Sequence, residues 1–268
     1  MPPVLFKTGG NDFTLGSGYA VTGEVVGTGR DSLQLGGTGS ASFDLAEVGV
    51  QYWGFSAFNV VGRSWTLDGT GGDWNVDSGG EMIIDNGAVL SNTNVHSGGT
   101  AFISSGGVLE TTGGAAIIAG HVTNSGVMLA SDAGSILEIT DTASVTGGGV
   151  VEIDNGLLRI QGTGSENVNF QSGGSGGLQI DDEQLNVSAY TGTISGFGDT
   201  GHVNHAQYID LRLVPFTSSG AFTASFAGGT LTVSSGGVAV AKINFSGTYS
   251  AADFQFTSGA GDTVKITD

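Results

Sequence analysis

Two histidines three residues apart, His202 and His205, stand between Asp199 and Asp210 in the stretch GFGDTGHVNHAQYIDL. This is the densest set of groups in the chain that could ligate a metal or move a proton. The spacing falls in a glycine-containing loop with no helix to align the rings, and a third strong ligand is not in view. His202, His205 and Asp199 are therefore the candidates for a metal site that is not itself expected, and the plain alternative is a solvated linker. Carboxylates offer a second chemistry. Glu152 and Asp154 share strand parity, and Asp181-Asp182-Glu183 is an acidic run. Acidic groups on adjacent coils of a β-helix would sit about 4.8 Å apart, close to the roughly 5–5.5 Å of a retaining glycosidase. A uronate lyase would need clustered Lys or Arg to neutralise its substrate, and the basic residues here are scattered singly. No catalytic residue is assigned.

A third chemistry is aromatic. The stretch QYWGFSAFNVVGRSWTLDG at residues 51–69, with Trp74 just beyond, holds all three tryptophans. Aromatic faces stack on sugars, so Tyr52, Trp53, Trp65 and Trp74 are the candidate ligand-binding residues. The same rings could instead plug the apolar interior of a first coil. Alternation favours burial for most of them, with Tyr52 and Trp53 expected at the surface.

The elements that must position these groups are strands. Gly, Ser, Thr, Val and Asn dominate, and no segment sustains an i, i+3, i+4, i+7 apolar stripe. Short runs such as Glu81-Met-Ile-Ile84, Ala115-Ala-Ile-Ile118, Val150-Val-Glu-Ile153 and Leu157-Leu-Arg-Ile160 lie between glycine turns. Fifty glycines in 268 residues come with only three prolines and no G-X-Y period, which excludes collagen, while a hydrophobic content of 38% excludes wholesale disorder. Seven basic against 25 acidic residues give 7 − 25 = −18, a charge that repels phosphate backbones and anionic lipid. No nucleic-acid partner and no membrane insertion are expected. Cysteine is absent, removing disulfides, thiolate metal sites and a cysteine nucleophile. The start, MPPVLFKTGGNDF, lacks the charged and apolar regions of a signal peptide.

Residues 74–92, WNVDSGGEMIIDNGAVLSN, and 93–111, TNVHSGGTAFISSGGVLET, align without gaps at a shift of 19. They are identical at Asn75/Asn94, Val76/Val95, Ser78/Ser97, Gly79/Gly98, Gly80/Gly99, Ile84/Ile103, Gly87/Gly106, Val89/Val108 and Leu90/Leu109. A looser copy follows from Thr112 to about Ser131, and degenerate copies are expected to about Asp182. A unit this short cannot bury an apolar face alone, so successive units must stack. The expected fold is all-β: a right-handed parallel β-solenoid (β-helix) with a C-terminal antiparallel β cap or small sandwich. The expected divisions are 1–73 as the solenoid's beginning and aromatic cap, 74–190 as the 19-residue-repeat solenoid, and 191–268 as the C-terminal β module. His96, at the repeat position of Asp77, is expected on an outward face.

The form NVxSGGxxxIxxGGVLxx at residues 75–92 and 94–111 resembles the repeats of bacterial autotransporter passenger domains and related giant surface adhesins. The stretch from Asp31 to Gly69, in which DSLQLGGTGSASFDL is followed by QYWGFSAFNVVGRSWTLDG, is similar to the segment that precedes such solenoids, and GTLTVSSGGVAVAKINFSGTYSAADFQFTS at 229–258 resembles a module near the ends of large secreted repeat proteins. The resemblance implies an extracellular or bacterial cell-surface protein that is structural or adhesive rather than enzymatic. Its partners would be further copies of itself or an extracellular or cell-surface glycan. A polysaccharide-active β-helical hydrolase or lyase and a carbohydrate-binding module are the alternatives. No cofactor is expected: the resemblance admits calcium, but the nonapeptide GGxGxDxUx is absent. Neither does the chain carry the membrane β-barrel that follows autotransporter passengers.

Overall fold

The computed structural model describes residues 3–181, 190–199 and 201–268; Asp182 and Glu183 of the acidic run lie outside them. The chain is a β-solenoid of stacked parallel coils, and the described helical structure amounts to three single 3-10 turns. Two compact units can be distinguished. One comprises residues 1–110, 116–128 and 142–149, and the other 111–115, 129–141 and 150–268.

In the first unit the 19-residue repeat is one coil. Asn75 and Val76 pair with Asn94 and Val95, Glu81 to Ile84 with Thr100 to Ile103, and Val89 to Ser91 with Val108 to Glu110, all in parallel register. Side chains alternate across each strand. Trp65, Met82, Ala101 and Val122 therefore follow one another in register down a buried row, beside Leu67, Ile84 and Ile103. The Ser-Gly-Gly corner has two separate demands. Gly79 and Gly98 adopt φ of 83° and 80°, the left-handed region that glycine enters without a Cβ penalty. A Cβ on Gly80 or Gly99 would instead lie 2.1 or 2.5 Å from the carbonyl oxygen of Val60 or Val76 in the preceding coil. The period then lengthens, with Ala101 pairing to Val122 at 21 residues and Val95 to Ile118 at 23. Register persists because the extra residues enter corners, where no ladder hydrogen bond depends on them.

The beginning of this unit is closed by rings. Phe6, Phe13 and Phe55 pack edge or tilted against one another, Phe13 and Phe43 both meet Tyr52, and Phe43 and Phe58 meet Trp74. The strand Val25–Leu35 bends where its pairing with Tyr52–Val60 shifts register, between Val26 and Ser32. Asp31 organises that bend. Its buried carboxylate accepts from the backbone and side chain of Thr28 and from the backbone and side chain of Asn11, at 2.6–2.9 Å.

In the second unit Ile136–Ile139, Leu157–Gln161, Gly177–Asp181 and Tyr208–Pro215 form one parallel ladder. Val150–Ile153, Val168–Phe170, Thr193–Ser195 and Val238–Ser246 form a second. The spacing between parallel register partners here runs from 17 residues, Val151 to Val168, through 31, Gly177 to Tyr208, to 51, Ile194 to Phe245. The C-terminal strands continue these two faces in the antiparallel sense. Thr263–Thr267 and Gln255–Ser258 extend the first, and Thr230–Ser235 and Phe222–Ala227 extend the second. Phe197, Phe226, Phe245, Phe254 and Tyr249 pack together beneath this cap. Leu213 shares parity with the buried Ile209 and Leu211, yet it is exposed, because the pairing with Thr263–Thr267 shifts between Leu211 and Pro215.

Two predictions follow from this packing. Replacing Ile84 and Ile103 together by Asp places two unpaired carboxylates in the buried row, at several kcal/mol each. Circular dichroism should show loss of β structure, and a soluble, β-rich double variant would contradict the stacked core. Burial pushes the Asp31 carboxyl up, but the hydrogen bonds from Asn11 and Thr28 outweigh it and hold the group at about 2, below its ordinary 3.8. A lowered pKa means stability that is present above pH 3.8 and lost as pH falls towards 2. Acid-unfolding curves of Asp31→Asn should lose that part of the pH dependence, and an unchanged slope would show that Asp31 does not contribute it.

Candidate functional site

The loop that joins Thr193–Ser195 to Tyr208–Pro215 is built from left-handed backbone. Gly196, Gly198, Asp199, Gly201 and His202 all have φ between 57° and 86°. Such a run turns the chain tightly and lets amides cross-bond within the loop. Asp199 N–H donates to the Gly196 carbonyl at 3.3 Å, and the Val203 and Asn204 amides both donate to Gly198 at 3.0 Å. Gln207, fully buried, fastens the loop from beneath: its Oε1 accepts from Gly198 N at 2.8 Å and its Nε2 donates to Gln171 O at 2.9 Å. Asn204 donates to Gly174 O at 2.7 Å. The expected linker is exposed at Gly201, Val203, His205 and Ala206, and it is also pinned, by the buried Gln207 and the half-buried Asn204.

His202 is the centre of this arrangement. Its Nδ1 lies 2.8 Å from Asp268 Oδ1, its Nε2 lies 2.9 Å from the Thr248 carbonyl oxygen and 3.8 Å from Asp253 Oδ2, and its ring meets Tyr249 edge-on at 4.9 Å. The Thr248 carbonyl can only accept, so Nε2 donates, and with Asp268 ionised Nδ1 donates as well, which is the hydrogen-bonding pattern of an imidazolium. Burial pulls the His202 pKa down, but the Thr248 carbonyl and the Asp268 and Asp253 carboxylates overcome it and raise the group above 6.5. Burial raises Asp268 as well, against the pull of His202. His205 turns away from this pair, with Nδ1 on the main-chain carbonyl of Asp268. Asp199 accepts from Gly173 N at 3.0 Å through Oδ2, while its Oδ1 is shielded from solvent and has no hydrogen-bond partner.

Asp199 and His202 line a half-open groove of about 350 Å³, with Phe170, Ser172, Ser246, Thr248 and Tyr249 on its other walls. Burial pushes the Tyr249 phenol up to about 12, and its hydroxyl donates to Phe197 O at 2.9 Å. Asp210, grouped with these residues by sequence, lies apart from them. It is buried beneath the Thr263 hydroxyl at 2.5 Å and the Gln179 amide at 3.2 Å. Among the described residues no group of three or more His, Cys, Asp or Glu side chains is placed to hold a metal ion.

The aromatic candidates separate. Tyr52, Trp65 and Trp74 are at most 1% exposed and offer no stacking face. Tyr52, expected at the surface, points inward because its strand presents that parity to Phe13 and Phe43. Trp65 donates its indole N–H to Gly36 O at 3.0 Å, as a buried indole must. Trp53 is the exception at 45% exposed, and in register with it across two strands stand Val26 and Leu5, the latter also exposed. Glu152 accepts from Gln171 at 2.6 Å, and its register partner in the next coil is Asn169 rather than a second carboxylate. His96 does stand outward, its Nδ1 2.9 Å from Asp77 Oδ1 in the coil before it.

Tyr249, Thr248, Ser172 and Asp268 were not legible as site residues. Asp268 lies 66 positions from His202, and only the fold brings them together. The chain matches no protein-family model, no curated protein and no solved structure.

The doubly donating His202 gives a pH prediction. A raised pKa means a contribution that is complete below pH 6.5 and lost as pH rises through the folded value. The His202 ring signal in NMR should titrate with a midpoint above 6.5. Hydrogen exchange in the Thr248–Asp253 segment, corrected for its intrinsic pH dependence, should quicken as that midpoint is passed. A midpoint at or below 6.5 contradicts the imidazolium clasp.

Proposed function

We propose that the chain is an extracellular or cell-surface structural and adhesive β-solenoid that works by self-association and multivalent contact with glycans. The observation that carries this reading is the stacking of equivalent outward side chains. Asn59, Asn75 and Asn94 hydrogen-bond in sequence from coil to coil, at 3.3 and 3.1 Å, Asp77 meets His96, and Ser91 donates to Glu110 at 3.0 Å. Parallel coils thereby repeat a surface group at a fixed spacing of about 4.8 Å. A weak contact repeated in this way gains strength by multivalency without any one strong site. The resemblance of residues 75–111 to adhesin and passenger repeats supports the same reading, as does the excess of acidic over basic residues, which keeps such a surface hydrated.

Trp53 is the side chain most suited to an adhesive contact, being a large ring held in the open on a strand. Size-exclusion chromatography with light scattering, on the protein alone and with neutral and acidic polysaccharides, tests the proposal. Multimers or co-elution with intact glycan are expected, and shortened glycan chains would overturn it in favour of an enzyme. Trp53→Ala should weaken the observed association by about 30-fold or more, the effect of truncating an aromatic anchor that contributes about 2 kcal/mol, with thermal unfolding unchanged. Full retention of association would remove Trp53 from the contact.

A further inference from the structure

The second ladder of the second unit ends at Phe222–Ala227, which pairs with Thr230–Ser235 on one side and with no described strand on the other. Gly228 and Gly229 join the two strands with φ of 59° and 80°, the pattern of a two-residue type I′ turn, so Ala227 and Thr230 form a hydrogen-bonded pair. Counting by twos, Ser225 and Thr223 also turn their main-chain groups towards Thr230–Ser235, while Phe222, Ala224 and Phe226 turn theirs to the free edge. Phe222 N–H is taken by the Ser219 carbonyl. Ala224 and Phe226 have both N–H and C=O open among the described residues. The turn at Ala251–Asp253 lies close to this strand but sends it no main-chain hydrogen bond, and the Asp253 carboxylate is engaged by Ser250 N–H.

Free edges are ordinarily guarded by charge, by proline or by shortness. This one has none of these. The other described strands that end a sheet have two to four residues, against six here. Residues 213–241 are the longest stretch of the chain without Asp, Glu, Lys or Arg. Burial at the edge is also incomplete. Ala224 and Phe226 face inward yet are half-buried, whereas their register partners on the next strand, Val233 and Leu231, are fully buried. One more strand beyond the edge would complete their cover.

The edge complements itself. Set antiparallel to its own copy with Ser225 on a two-fold axis, the strand places Ala224 opposite the partner's Phe226 and Phe226 opposite the partner's Ala224. A small side chain then meets a large one on the inner face, and every open N–H and C=O of these two residues finds a partner. Thr223, Ser225 and Ala227, all exposed, share the outer face. Charge favours the same occupant. Each copy carries −18, which opposes approach through acidic surface, and repulsion is least along an uncharged edge.

We propose that Phe222–Ala227 pairs in this register with the same strand of a second copy of the chain, joining two molecules through one continuous sheet. The proposal rests on the self-association part of the function given above and names its surface. An isologous contact closes at two copies, so the product is a dimer.

The chain has no cysteine, so single cysteines report the register. Ser225→Cys should cross-link under mild oxidation, because its own copy stands opposite at about 4.5 Å between Cα atoms. Thr223→Cys should not, its copy being displaced about 13 Å along the partner strand. Analytical ultracentrifugation reads the dimer without a cross-link. Ser225→Glu, which sets two carboxylates face to face at an exposed position, should weaken dimerisation at least about 10-fold with thermal unfolding unchanged. Ser225→Lys should do the same, and an equimolar mixture of the two variants should restore pairing. Equal cross-linking at both positions, cross-linking at neither, or a Ser225→Glu chain that dimerises as the parent does would each overturn the proposal. Association that survives Ser225→Glu but falls with Trp53→Ala would overturn it while leaving the adhesive reading intact. A parent chain that is monomeric at every concentration would overturn it and leave glycan contact alone to carry that reading.

Discussion

Main-chain hydrogen bonds between successive coils impose the constraint on which the rest depends. In a parallel ladder each residue lies beside its register partner about 4.8 Å away, so whatever a coil places inward or outward, its neighbour must accommodate at the same point. Ile84 meets Ile103 in the interior, and Asn75 meets Asn94 outside. A single apolar-to-charged change inside therefore disturbs two neighbours as well as its own coil. Outside, the same geometry makes ladders of matched polar groups. In the second unit, for instance, Arg159 reaches Glu138 at 3.2 Å on one side and Gln179 at 2.9 Å on the other, and Gln179 passes on to Asp210.

Stacking also explains where irregularity is allowed. The spacing between parallel register partners varies from 17 to 51 residues within the second unit, yet the partners keep their inward and outward sense. The longest coil contains the left-handed loop from Gly196 to His202, and a long connection that still has to bury its amides recruits Gln207 and Asn204 to do so. The candidate groove is a product of this economy. It lies where a loop too long for a corner folds back against the cap strand Val238–Ser246 and the segment that follows it.

Each unit uses aromatic packing, though by different means. Phe6, Phe13, Phe43, Tyr52 and Phe55 pack together among the first strands of the first unit. In the second unit the change from parallel to antiparallel pairing lets hairpins fold over Phe226, Phe245 and Phe254. An apolar interior left open would expose edge strands to further pairing. Large rings suit such closures because each removes much apolar surface for few torsional degrees of freedom.

The amino-acid sequence by itself determined the strand type, the 19-residue coil and the inward positions of residues 74–111, because these are encoded by alternation and corner glycines within a few residues of one another. It also showed, from turn residues and parity, that the C-terminal strands would be longer and pair with one another in the antiparallel sense, but not that Tyr208–Pro215 and Val238–Ser246 would each also pair in parallel with a preceding strand. Tertiary structure alone decided which aromatic rings are reachable: Tyr52 and Trp53 are adjacent in sequence, and strand parity buries one against Phe43 while exposing the other. It decided too that His202 would pair with Asp268 and Thr248 rather than with His205, since those contacts span 66 and 46 residues. Local patterns carry the period of a solenoid, whereas a site assembled from a loop and a distant cap is written in no local pattern and exists only once the coils have set the spacing between them.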